Sequence, residues 1–176
     1  GRTGTLFACE QAGIRPDFLC LSKGITGGYL PLSVVLTTEQ VYGAFYDDQV
    51  ARGFLHSHSY TGNPLACRAA LAVLEIFEQD RVIEANRQKA ELFNEAIKPL
   101  AEHPNVKNFR HTGMIWAFEV EPAPEGFSRR FFAEALERGL LLRPVGNTVY
   151  LMPPYVIEVP EFRLLSDRTL EILECL

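Results

Sequence analysis

Three short stretches hold the residue types that do chemistry. In Leu19-Cys20-Leu21-Ser22-Lys23-Gly24-Ile25-Thr26-Gly27-Gly28, one lysine stands at the end of an apolar run and is followed by three glycines. Desolvating an ammonium is costly, so a lysine placed against apolar surface needs a partner or a use. A partly desolvated amine is neutral often enough to attack a carbonyl compound and form a Schiff base. The glycines would let backbone come close to a flat cofactor or its phosphate. A solvated turn lysine fits the same local pattern.

The second stretch is His56-Ser57-His58-Ser59-Tyr60-Thr61-Gly62-Asn63-Pro64. Hydroxyls and backbone N–H groups ahead of a helix N-terminus favour an anion such as phosphate, and plain capping by Asn63 is compatible with that use. His56 and His58 alternate as metal ligands do, but no third ligand of suitable spacing follows, so no metal is expected. In the third stretch, Arg143 closes the apolar run of Leu140-Leu141-Leu142, where a guanidinium can offer a two-pronged contact to a carboxylate. Tyr150 lies on the next apolar run, and Arg2 sits in the opening turn Gly1-Arg2-Thr3-Gly4. Surface and packing roles fit these three residues equally well on local grounds.

The elements that would carry these residues follow from periodicity. Asp17 to Leu21 and Leu32 to Thr38 read as short strands, and Glu39 to Tyr46 as a helix with Val41, Tyr42 and Phe45 inward. Asn63 and Pro64 open a helix whose inward face would be Leu65, Ala69, Ala72, Val73, Ile76 and Phe77. A second helix, with Val82, Leu92, Phe93, Ala96, Ile97 and Leu100 inward, ends at His103-Pro104. Beyond it, strands are expected over 106–110, 114–120, 140–144 and 148–152. Helices are expected over 128–138, closed by Gly139, and from Pro160 onward, with Phe162, Leu165, Thr169, Ile172 and Leu173 inward. The fold class is therefore α/β over 1–104, followed by a small α+β domain over 105–176.

Composition narrows the partners. With 176 residues, 47% of them hydrophobic and 22% charged, the chain can bury a core. A net charge of −5 without a basic stripe argues against nucleic acid and anionic membranes, and no apolar run is long enough to span a bilayer. The four cysteines are scattered without a C-x-x-C pair, which favours reduced thiols in a cytoplasmic protein. A start at Gly1, inside a turn and without an initiator Met, reads as a piece of a longer protein.

Taken together, GRTGTLFACEQAGIRPDFLCLSKGITGGYLPLS and HSHSYTGNPLACRAALAVLE resemble the cofactor-lysine and phosphate segments of class III, pyridoxal-phosphate-dependent aminotransferases. The resemblance implies the C-terminal part of a fold type I large domain plus the small domain. It implies that Lys23 holds pyridoxal 5'-phosphate and shuttles a proton. It also implies that the segment of Ser57, His58 and Ser59 reaches across a homodimer interface to the neighbouring subunit's phosphate, with His58 and Ser59 at the cofactor and Ser57 at the substrate. The family often has Gly, Pro and Thr at these three positions. The ending RPVGNTVYLMPPY narrows the resemblance to the biotin-pathway branch, which converts 8-amino-7-oxononanoate to 7,8-diaminononanoate with S-adenosyl-L-methionine as usual donor. There Arg143 would receive the oxo acid's carboxylate, with Tyr150 beside it and Arg2 in the substrate pocket. Lysine as donor, another class III enzyme acting on an ω-amino acid, and an interface module without chemistry stand as alternatives. The carboxylate that pairs with the pyridine nitrogen is expected upstream of Gly1, so the chain alone is expected to be inactive.

Overall fold

The computed structural model describes residues 1–176. In chain order its elements are α1 (Ala8–Ala12), β1 (Phe18–Leu21), β2 (Val34–Thr37), α2 (Glu39–Gly43), α3 (Pro64–Gln79), α4 (Val82–Ala96), α5 (Lys98–Ala101), β3 (Val106–Thr112), β4 (Ile115–Val120), α6 (Phe127–Glu137), β5 (Thr148–Leu151) and α7 (Val159–Cys175). They form two compact units, Cys9–Val82 and a larger one made of Gly1–Ala8 with Ile83–Leu176.

In the smaller unit β1 and β2 pair antiparallel, with Phe18 opposite Thr37 and Leu21 opposite Val34. Helix α3 starts where Asn63-Pro64 suggests. The Asn63 Oδ1 accepts from the Leu65 N–H at 3.0 Å, and Pro64 supplies a pre-set φ in the first turn. Its buried residues are Ala66 and Ala70, whereas Leu65 is 72% and Ile76 51% exposed. The expected inward face is thus only partly the buried one. The helix is apolar on more than one side, and its small alanines permit the closest approach. Likewise Tyr42 and Phe45 are exposed, in contact with Tyr46 and Phe54 rather than with a core.

The larger unit carries a three-stranded antiparallel sheet in the order β3-β4-β5. Strand β4 alternates, burying Trp116, Phe118 and Val120, and β5 buries Val149 and Leu151 while Tyr150 takes the opposite face. Helix faces close this core with Ala90 and Phe93 from α4, Phe127, Phe131 and Ala135 from α6, and Phe162, Ile172 and Leu173 from α7. Helix α7 begins with a reciprocal cap in which the Glu158 N–H donates to Glu161 Oε2 at 2.8 Å. The boundary expected near residue 104 falls inside this unit. Ala90, Phe93, Ile97 and Leu100 share one hydrophobic cluster with Trp116 and Phe118, so the units divide at Val82 and Ile83 instead.

The strand expected over 140–144 does not form. Leu140 and Leu142 are buried, as alternation implies, but they carry no ladder. Pro144 has no N–H to contribute, and the only pairing nearby is the tight turn in which Val145 and Thr148 exchange backbone bonds of 2.9 and 3.0 Å.

The segment Gly1–Ala8 joins the larger unit at the β3–β4 turn. There the Met114 N–H donates to the Arg2 carbonyl at 2.9 Å, and Arg87 Nε donates to the Gly4 carbonyl at 2.8 Å. Gly113 makes this approach possible. Its φ is +58°, and a Cβ there would fall onto the backbone of Thr3 and Gly4. Gly113→Ala should cost about 1–3 kcal/mol, the usual range for a residue forced into a disfavoured backbone region. It should also loosen the Arg2 turn. The check is amide exchange at Met114, which should accelerate in the variant; unchanged protection there would contradict this account.

Candidate functional site

Lys23 is two residues beyond β1 and opens a 3-10 turn over Lys23–Thr26. Its φ is +53°, a left-handed conformation that a side chain with a Cβ adopts only at a cost. Gly27 and Gly28 continue the turn with φ of +61° and +84°. The turn is held by Thr26, which is 1% exposed and donates its hydroxyl to the Leu30 carbonyl at 2.5 Å, and by its packing on α3. Lys23 itself is exposed, and its amine has neither an ion pair nor a hydrogen bond. A strained backbone thus presents a free amine. Thr26 was absent from the expected site. Its only sequence signal is a hydroxyl set among glycines.

Ser57, His58 and Ser59 lie in an exposed loop ahead of α3. The His58 N–H donates to Thr61 Oγ1 at 3.1 Å, and the Tyr60 N–H donates to His58 Nδ1 at 3.1 Å. Nδ1 is therefore the unprotonated ring nitrogen. The first α3 amides are already engaged by Asn63, so capping accounts for the helix end itself. Ser57 and Ser59 have no hydrogen bond, which leaves their hydroxyls available to an incoming anion.

In the larger unit Arg143 and Tyr150 line one cavity of about 500 Å³, together with Met152, Pro153, Ile157 and Leu165. Its wall is mostly apolar and carries one guanidinium, Arg143, and one carboxylate, Glu161, whose Oε2 is engaged by the Glu158 N–H at 2.8 Å. The guanidinium is the group that can receive an aliphatic chain ending in a carboxylate. Arg2 touches the same wall from outside the cavity. Its Nη1 donates to the Pro153 carbonyl at 2.5 Å, and its guanidinium carbon lies 4.4 Å from the centre of the Tyr155 ring. Burial pushes the Tyr155 hydroxyl above its ordinary value, with the nearby Arg2 charge acting the other way. Neither Pro153 nor Tyr155 was expected at the site, because both lie at the far end of the sequence from Arg2, Pro153 by 151 residues. Arg2, Arg143 and Tyr150 thus belong to one unit, and Lys23 with the 57–59 loop to the other.

Comparison with known proteins points the same way. Residues 1–173 match the Aminotransferase class-III family. The adenosylmethionine-8-amino-7-oxononanoate aminotransferase of Helicobacter pylori is 52% identical across 99% of this chain, which covers 41% of that protein. The enzyme of that name from Aquifex aeolicus is 44% identical across 95% of the chain and 39% of its own length. The crystal structure of the Methanocaldococcus jannaschii enzyme superposes with a TM-score of 0.87 at 39% identity, over 99% of this chain and 43% of that one. A Bacillus anthracis aminotransferase gives 0.89 at 29%, over 99% and 42%. The chain therefore spans about two-fifths of the length of these relatives. It has the fold of the corresponding part of a pyridoxal-phosphate-dependent transaminase. A lysine followed by glycines beyond a strand end, an arginine-bearing cavity, and a match that runs from Gly1 to Leu173 make the conclusion direct: the chain belongs to the class-III aminotransferase family.

Proposed function

We propose that the whole protein is the biotin-pathway aminotransferase that converts 8-amino-7-oxononanoate to 7,8-diaminononanoate, with S-adenosyl-L-methionine as amino donor. The observation that carries the proposal is the 52% identity, across nearly the entire chain, to a relative of that name. On this reading the chain is the C-terminal part of the cofactor domain followed by the small domain. The protein works in the cytoplasm as a homodimer whose sites are shared between subunits.

The residues at hand fit pyridoxal phosphate, since the Lys23 amine has no carboxylate partner and the turn after it is built from glycines. When bound, the cofactor supplies an aldehyde that exchanges amines and a ring that withdraws electrons from the amine-bearing carbon. Lys23 Nζ would hold the cofactor, and its free amine would carry the proton between the substrate carbon and the cofactor carbon. His58 and Ser59 are assigned to the neighbouring subunit's phosphate, and Ser57 beside them to the substrate. Arg143 is assigned to the carboxylate of the oxo acid, Tyr150 to the wall beside it, and Arg2 to the same pocket.

The test is a half-reaction on the whole protein loaded with cofactor. S-adenosyl-L-methionine and lysine are added separately and the visible absorbance of the bound cofactor is followed. Discharge by S-adenosyl-L-methionine alone is expected. Discharge by lysine alone keeps the acceptor and changes the donor. If a simple ω-amino acid alone discharges it, the reading of the Arg143 pocket is wrong. The pocket has its own prediction: Arg143→Ala should raise KM for the oxo acid about 10- to 100-fold, the equivalent of a charged hydrogen-bonding contact of roughly 1.5–3 kcal/mol. Steady-state kinetics with the oxo acid varied at saturating donor will read it.

A further inference from the structure

The guanidinium and the backbone of Arg2 are fastened by separate devices. The backbone is held by the Met114 N–H and by the close approach at Gly113. The guanidinium is held by the Pro153 carbonyl at one nitrogen and by the Tyr155 ring beneath its plane. A guanidinium has five N–H donors, and this one commits a single donor to the protein. The rest of the fork has no internal partner. Tyr155 is in turn tied to α4, because Lys89 Nζ donates to the Tyr155 carbonyl at 2.9 Å while also pairing with Glu158 at 3.3 Å. The Tyr155 backbone is therefore anchored, its half-buried side chain packs against the core, and Pro153 belongs both to the cavity wall and to the Arg2 contact.

We propose that Tyr155 is a positioning residue that, with the Pro153 carbonyl, fixes the Arg2 guanidinium against the wall of the Arg143 cavity with its remaining donors free for the substrate. The inference rests on the assignment of Arg2 to the substrate pocket. An arginine on a turn without such contacts samples many rotamers, and fixing it on binding lowers affinity. A cation over an aromatic face is held without use of its hydrogen-bond donors, so the fork stays free for a carboxylate. The contact to the guanidinium is made by the ring face.

The experiment measures the Kd of the oxo acid by calorimetry, and its KM and kcat, on the whole cofactor-loaded protein. The variants are Tyr155→Leu, Tyr155→Phe, Arg2→Gln and the Arg2→Gln/Tyr155→Leu double variant. Tyr155→Leu is expected to weaken Kd and raise KM about 3- to 10-fold with kcat within twofold, the size of an aromatic–cation contact. Tyr155→Phe should match the parent. In the Arg2→Gln background the Tyr155→Leu change should add nothing further, since its effect runs through Arg2. Should Tyr155→Leu not fold, Tyr155→Met takes its place, because methionine fills irregular space. If Arg2→Gln weakens binding while Tyr155→Leu does not, or if the two losses simply add, the positioning role is overturned and the pocket assignment survives. If Arg2→Gln leaves Kd and KM unchanged, the pocket assignment of Arg2 fails and the positioning role falls with it.

Discussion

Lys23→Ala in the whole protein should abolish transamination and the visible absorbance of the lysine-bound cofactor. Proton transfer by a positioned side chain is worth roughly 10²–10⁴-fold, and the covalent attachment is lost as well. Lys23→Arg should be no better, because a guanidinium stays protonated and cannot act as nucleophile or base. The structure adds a second arm that separates chemistry from folding. Lys23 has a φ of +53° and makes no hydrogen bond or ion pair that would compensate for it. Glycine takes that conformation freely, so Lys23→Gly in the cofactor-free protein should be more stable than the parent by about 1 kcal/mol. It should also be inactive. Strain kept at a residue with no structural contact is expected where function has set the residue type. Thermal melts of the two cofactor-free proteins decide it: a Lys23→Gly variant that melts below the parent would mean that the lysine contributes to the fold after all.

What the sequence disclosed and what it concealed divide by the range of the interactions. Strand β4 was readable because Trp116, Phe118 and Val120 alternate on one face, a signal that lies within six residues. The Asn63-Pro64 start of α3 and the Gly139 stop after α6, with its φ of +74°, were readable for the same local reason. Leu140 and Leu142 show the limit of alternation. They are buried, yet no strand forms, since alternation reports burial and says nothing about whether a neighbour pairs. The outward leucines of α3 show a second limit, because a helix apolar on several sides does not reveal which side this chain covers. At the site, Lys23 could be picked out from its glycines, though not its left-handed backbone. The fastening of Arg2 by Pro153 and Tyr155 was illegible. Those contacts join the two ends of the chain, and no pattern within a window of residues encodes them.

The largest stability effect is expected at Trp116. Its side chain is 0% exposed, with ring centres 4.8 Å from Phe162, 5.8 Å from Phe93 and 4.9 Å from His111. Phe93 and Phe162 are themselves stacked 4.0 Å apart, so one indole joins β4 to both α4 and α7. Its Nε1–H donates to Asn94 Oδ1 at 2.7 Å, which satisfies a polar atom at the margin of the core. Trp116→Ala leaves a cavity among rigid aromatic neighbours that cannot collapse to fill it, and should cost about 3–5 kcal/mol. Against a typical total of roughly 5–15 kcal/mol that is enough to unfold the unit in part of the molecules. Trp116→Phe retains most of the volume and loses the hydrogen bond to Asn94, so it should cost less than half as much. The damage reaches the site through the sheet. Trp116 is paired with Leu151 and the adjacent Ala117 with Tyr150, so the wall behind Arg143 loosens when β4 is released from the helices. Urea titration of the parent and both variants, followed by limited proteolysis, measures this. Trp116→Ala should show a clearly lower midpoint and new cleavage between residues 139 and 155, and a midpoint equal to that of Trp116→Phe would show that the indole's packing is not what secures the cavity wall.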